Sequence, residues 1–146
     1  IFALGSFGCP STSTTRDKYT YSGDVNAAAT AASDAARNGS AAGNSTVGIF
    51  HLGYVQPACA VSTIRNKYTY SGCTSAAATA ASNASQAGAA AGNATAGIFA
   101  LGFTTARSTT RNKYTYSGCT SAAATASSVA SACGSAASNG TTGVNV

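Results

Sequence analysis

The stretch RNKYTYSG stands at 65–72 and again at 111–118, and as RDKYTYSG at 16–23. Three copies of one octapeptide point to a structural unit repeated, not to three separate active sites. If the stretch is extended, successive side chains alternate between faces. Arg16, Lys18 and Thr20 then share one face, and Asp17, Tyr19 and Tyr21 the other. The tyrosine face is expected to pack on an apolar layer while the cations stay in water. Wound as a helix, the same residues scatter around the cylinder without a stripe, so the reading is a β-strand.

Aligned on the arginines at 16, 65 and 111, the chain repeats with a period of 49 and then 46 residues. The difference has an address. Arg16 to Ile49, Arg65 to Ile98 and Arg111 to Val144 are each 33 positions. All length variation therefore lies between the apolar pieces IFALG, IFHLG and IFALG and the next arginine, in FGCPSTSTT (7–15), YVQPACAVSTI (54–64) and FTTARSTT (103–110). A segment that changes length while its surroundings keep register is expected to be a surface loop.

Each unit reads as four pieces: the apolar strand, the RxKYTYSG strand, an Ala/Ser/Thr tract, and a Gly/Asn turn into the next unit. Strands are expected near 2–4, 18–21, 50–52, 67–70, 99–101 and 113–116. The tract at 26–36 has alanine's helix preference but no aliphatic stripe, and its Ser, Thr and Asn favour strands and turns. Extended or tight irregular structure is the reading there. The chain is thus expected to be all-β, with tandem four-stranded repeats of about 46–49 residues at 1–48, 49–97 and 98–146, the last including the start of a fourth. Two architectures fit: a propeller and a β-solenoid. In an in-register solenoid Arg16, Arg65 and Arg111 would form a like-charge column beside Lys18, Lys67 and Lys113, which is unfavourable. That favours a propeller, although Asn66, Asn112, Asn44 and Asn93 would suit stacked asparagine ladders.

With 45% apolar residues, mostly alanine, and only 8% charged, the chain has a thin core and a surface made polar by Ser, Thr and Asn. Trp, Met and Glu do not occur. No apolar run approaches the roughly 20 residues of a membrane-spanning helix. This composition suits an extracellular, cell-surface or virion-borne protein. The sequence opens at Ile1 in mid-motif and stops where a fourth apolar strand would begin. The expected partner is therefore the protein itself, as a homo-oligomer or a longer repeat array.

The order GNxTxGIFxLG, variable loop, TTRDKYTYSGD resembles the kelch-like tandem repeats of bacterial and phage surface proteins, over essentially the whole chain. The resemblance implies a propeller-like scaffold for binding or assembly and no enzymatic activity.

Catalysis has little support in the residues. His51, the single histidine, has Ala3 and Ala100 as counterparts, and all three acids, Asp17, Asp24 and Asp34, lie in the first unit. A repeated acid-base site is thus improbable, and no cofactor is expected. Cys9, Cys59, Cys73, Cys119 and Cys133 form no CxxC pair, so no metal site is expected. Cys9 and Cys59 sit in equivalent loops, and Cys73 and Cys119 at equivalent strand ends. Disulfides between neighbouring units would staple a thin core, while free thiols acting as small hydrophobes are the alternative. Net charge is +5, carried largely by Arg16, Lys18, Arg65, Lys67, Arg111 and Lys113. A solvated strand face that blunts edge pairing outweighs a phosphate-contacting stripe, and nucleic acid is not expected. The leading expectation is a non-enzymatic structural or display protein. The rival is a carbohydrate-binding propeller, with His51, Tyr54, Gln56 and Arg107 as loop candidates for glycans.

Overall fold

The computed structural model describes residues 2–3 and 12–145. Among them the fold is all-β, with no α-helix and one 3-10 turn at Tyr21–Gly23. The first sheet is β1 (Phe2–Ala3), β2 (Arg16–Thr20) and β3 (Val25–Ala29) in that order, all antiparallel. A short strand β4 (Ala35–Arg37) leads to β5 (Ser40–Gly43) and β6 (Val47–His51). After β7 (Tyr54–Gln56) and β8 (Ala60–Val61) come β9 (Arg65–Thr69) and β10 (Thr74–Ala78). Strands β5, β6, β9 and β10 form a four-stranded antiparallel meander. The third unit repeats it with β11 (Ala89–Gly92), β12 (Ala96–Ala100), β13 (Arg111–Thr115) and β14 (Thr120–Ala124). A hairpin of β15 (Ala136–Ser138) and β16 (Gly143–Asn145) follows.

The register repeats with the sequence. Phe50 faces Asn66 across β6 and β9, and Phe99 faces Asn112 across β12 and β13. The boundaries drawn at 48/49 and 97/98 fall inside β6 and β12, because each sheet recruits its first strand from the end of the preceding alanine tract. Helix preference yields here to backbone pairing, as Ala76, Ala77 and Ala78 sit opposite Lys67, Asn66 and Arg65. Small side chains also let sheets approach. A Cβ placed on Gly97 would lie 2.8 Å from the Ala42 Cβ of the second sheet and 2.8 Å from the Tyr116 hydroxyl.

The tight turns between β5 and β6 and between β11 and β12 are built by asparagine. Asn44 Oδ1 accepts from the Thr46 amide at 2.9 Å and the Val47 amide at 3.0 Å, and Asn93 Oδ1 from Thr95 at 2.8 Å and Ala96 at 2.9 Å. Two N-x-T triplets thus have a backbone role as turns.

Two apolar clusters lie between consecutive sheets. One joins Phe50, Leu52, Val55 and Tyr68 of the second unit to Ala29, Ala32 and Ala36 of the first. The other joins Val47 and Ile49 to Phe99, Leu101, Tyr114 and Tyr116 of the third. Burying each such large side chain contributes about 1.5–3 kcal/mol.

Several expectations need correction. The loop at 54–64 is not a plain surface loop: β7 and β8 form a hairpin that pairs with β4, since Val55 has an apolar cluster to enter. The predicted strand at 18–21 ends at Thr20, and Tyr21 starts the 3-10 turn with 87% of its surface exposed. The cationic face does not all remain in water, for Arg16 and Arg65 are each only 1% exposed. Strand residue Leu4 and the loop residues up to 11 lie outside the described residues.

Candidate functional site

The most developed polar arrangement among the described residues lies between the units and occurs twice. Arg16 starts β2 and crosses to the second sheet, where its guanidinium stacks 4.7 Å from the Phe50 ring centre. Its Nη2 donates to Asn66 Oδ1 at 2.9 Å and its Nη1 to Ser75 Oγ at 3.0 Å. Arg65 does the same one unit on, 4.6 Å from the Phe99 ring centre, donating to Asn112 Oδ1 at 3.2 Å and Ser121 Oγ at 2.9 Å. Each asparagine is fixed in turn by the tract. Asn66 Nδ2 donates to Ser33 Oγ at 3.0 Å and its Oδ1 accepts from the Ser33 amide at 3.0 Å. Asn112 repeats this with Ser82 at 2.9 and 3.0 Å.

A buried cation needs donors satisfied and a polarisable surround. Here both come from neutral groups: amide and hydroxyl oxygens, and aromatic faces that attract the cation by their quadrupole. Burial brings Arg65 down to about 10, partly offset by nearby Tyr114, and lowers Arg16 in the same direction. The guanidinium therefore stays charged at neutral pH. The Nε atoms of Arg16 and Arg65 find no partner, so part of the desolvation cost stands uncompensated.

Beside each arginine, the lysine of the same strand reaches the next unit. Lys18 Nζ lies 3.7 Å from Cys73 Sγ, and Lys67 Nζ 3.3 Å from Cys119 Sγ. Thr30 and Thr79 donate their hydroxyls to the carbonyls of these cysteines. Cys73 and Cys119 hold left-handed backbone, φ 48° and 49°, at the turn where the first unit has Asp24 at 50°. The described cysteines, Cys59, Cys73, Cys119 and Cys133, are free thiols; Cys9 lies outside the described residues. Cys73 and Cys119 are each engaged by a lysine of the preceding unit instead of by one another.

The sequence-nominated loop residues are not gathered into one site. His51 is buried, its Nε2 3.0 Å from the Ser85 carbonyl, and burial lowers its pKa, so it is neutral and serves packing. Tyr54 stacks under Arg37 at 4.6 Å, Gln56 accepts from the Cys59 thiol at 3.0 Å, and Arg107 sits exposed in the third unit, bridged to Phe103. Of the basic residues, Lys18, Lys67 and Arg111 are half-buried and Lys113 is exposed. Lys113, with Ile98, Arg111 and Val144, lines a cavity of about 420 Å³ between the third sheet and the β15–β16 hairpin.

Sequence reasoning missed the Arg–Asn–Ser arrangement. A signal was present: Asn66 and Asn112, which receive Arg16 and Arg65, stand where the first unit has Asp17. Among the described residues no group of three or more His, Cys, Asp or Glu could hold a metal, and no helix is long and apolar enough to cross a membrane. No known protein family matches the chain, and no curated protein is similar to it.

Proposed function

We propose that the protein is a non-enzymatic structural or display repeat protein, in which propeller-like units serve as a scaffold and the segments of variable length are presented at the surface of a cell, a particle or an extracellular filament. The observation that carries this reading is the use made of the repeated octapeptide. Its arginine, asparagine and tyrosines are spent on holding one unit to the next, as in Arg65–Asn112–Ser121, and the residues that differ between units, such as those at 57–60, are exposed. Successive antiparallel meanders packed face to face are compatible with blades. The kelch-like resemblance supports the same architecture, and self-association supplies the filament or array.

The test is a pair of measurements on the whole chain. Replacing 57–60 with a Gly/Ser segment of equal length should leave the melting temperature within about 3 °C, since an exposed turn carries little of the fold. A glycan array should give no selective binding. Selective binding that falls on Tyr54→Ala would replace this reading with a carbohydrate-binding module.

A further inference from the structure

Two lysine–cysteine contacts lie in the joints between units and take no part in the arginine arrangement. Lys18 of the first unit reaches Cys73 of the second, and Lys67 of the second reaches Cys119 of the third, across 55 and 52 positions of chain. The nitrogen–sulfur distances are 3.7 and 3.3 Å. As a purely structural contact the pair is a poor choice. A thiol sulfur accepts a hydrogen bond weakly, whereas a carboxylate holds an ammonium well, and the first unit has a carboxylate, Asp24, at the same position of the repeat. Cysteine stands there in both units that receive a lysine.

The surroundings fix each sulfur and leave it reachable. Cys73 and Cys119 hold left-handed backbone at φ 48° and 49°, and their carbonyls accept from the Thr30 and Thr79 hydroxyls. Their thiols lie 3.6 Å from the Tyr70 and Tyr116 carbonyls. Lys18, Cys73, Lys67 and Cys119 are all half-buried, so a small solute reaches them more readily than a second protein does. Next to each sulfur lies a tyrosine hydroxyl, of Tyr68 or Tyr114, that is fully buried and without a hydrogen-bond partner. An oxygen added to the sulfur would give that hydroxyl an acceptor.

We propose that Cys73 and Cys119 are oxidation sites at which hydrogen peroxide closes a covalent bond to Lys18 and Lys67, fastening each unit to the next. In the first step the sulfur attacks one peroxide oxygen and the O–O bond breaks, so that thiol and peroxide become sulfenic acid and water. In the second step the lysine, its ammonium proton released to solvent, attacks the sulfur with the nitrogen lone pair. The S–N bond forms, the S–O bond breaks, and hydroxide leaves with a proton from the nitrogen as a second water. Sulfur gives up two electrons, peroxide takes them, and the product is a sulfenamide. The inference needs only neighbouring units of one chain and is independent of what the variable segments display.

Peptide mapping of the whole chain after treatment with a small excess of hydrogen peroxide tests it. The expected product is a peptide with Lys67 joined to one with Cys119, lighter than their sum by about 2 Da, and the same for Lys18 and Cys73. Dithiothreitol should reverse the link. The linked protein should melt about 5 °C or more above the unlinked one, because closing a long loop restrains the unfolded chain. Lys67→Arg keeps the cation but removes the nucleophilic amine, so it should lose the 67–119 link and retain the 18–73 link, and Cys119→Ser should do the same. Circular dichroism matching the wild type establishes that both variants fold. Wild-type Cys73 and Cys119 carried to sulfinic or sulfonic acid with no lysine attached overturns the proposal, as does recovery of both as free thiols. A link that persists in K67R, or that joins Cys119 to another cysteine, overturns the lysine assignment. A lysine–cysteine link that retains an oxygen overturns the direct S–N bond.

Discussion

Tyr21 and Tyr116 occupy the same place in the same octapeptide, yet one is 87% and the other 4% exposed. Their strands match in pairing, and their environments differ because Tyr116 packs on Val47 and Ile49 of the second sheet. Burial in this protein is thus a property of the joint, supplied by the neighbour, and not of the strand that carries the residue. Asp17 and Asn112 make the same contrast in polar terms. Asn112 is 1% exposed and receives Arg65, and Asp17 is half-buried with Asn26 as its partner.

The largest expected effect follows from that second contrast. Asn112→Ala leaves the Arg65 Nη2, the Ser82 amide and the Ser82 hydroxyl without their acceptor or donor in a dry joint. The loss should be about 2–3 kcal/mol by urea denaturation. Asp17→Ala should stay within about 0.5 kcal/mol, as surface substitutions do. Equal losses would mean that the strand, and not the joint, sets the cost.

Next in size is Gly97→Ala. The added methyl would sit 2.8 Å from both Ala42 Cβ and the Tyr116 hydroxyl, so the second and third sheets must part or the tyrosine must swing out. Overpacking of this kind costs about 1–3 kcal/mol. Gly72→Ala, whose nearest contact is Thr74 at 3.5 Å, should cost less. A thermal melt of each variant decides between them.

The all-β class, the strand at each octapeptide and the asparagine turns were legible because they depend on local chemistry: alternation, β-branched and aromatic residues, and Asx hydrogen bonds. The joint was not. Alternation placed Arg65 and Lys67 on one face, but it could not tell that a neighbouring sheet with Phe99 and Asn112 would cover the arginine and leave the lysine at the rim. The fate of 54–64 was hidden for a similar reason. Val55 belongs to a cluster built with Ala36 and Leu52, and that proximity is tertiary.

A smaller effect separates the tyrosines by pH. Burial pushes Tyr116 up to about 12 from a usual value near 10. A neutral group whose proton is held more tightly in the folded state contributes stability fully below pH 10, and that contribution is lost as pH rises from 10 to 12. Arg65, brought down to about 10, works in the opposite sense over the range up to its usual value, because its deprotonation relieves a buried charge. Melting alone would mix the two, so the reading is the tyrosinate absorbance titration. Tyr116→Phe should remove a step near pH 12, and a titration unchanged by that substitution would place Tyr116 outside the joint's dry region.

The smallest difference lies between two cysteines with left-handed backbone. Cys119 at φ 49° receives Lys67 from the preceding unit and lies inside a joint, whereas Cys133 at φ 60° is exposed. The left-handed region costs a non-glycine residue about 1–2 kcal/mol, and glycine removes that cost while adding entropy to the unfolded chain by up to about 1 kcal/mol. Cys133→Gly should therefore raise stability by roughly 0.5 kcal/mol. Cys119→Gly gains the same relief but loses the sulfur that the Lys67 ammonium contacts, so its net change should be close to zero. Denaturation midpoints at equal slope compare the two directly. A clear gain for Cys119→Gly would show that the lysine contact contributes nothing to the joint, and that the cation at 67 is held only by its own strand.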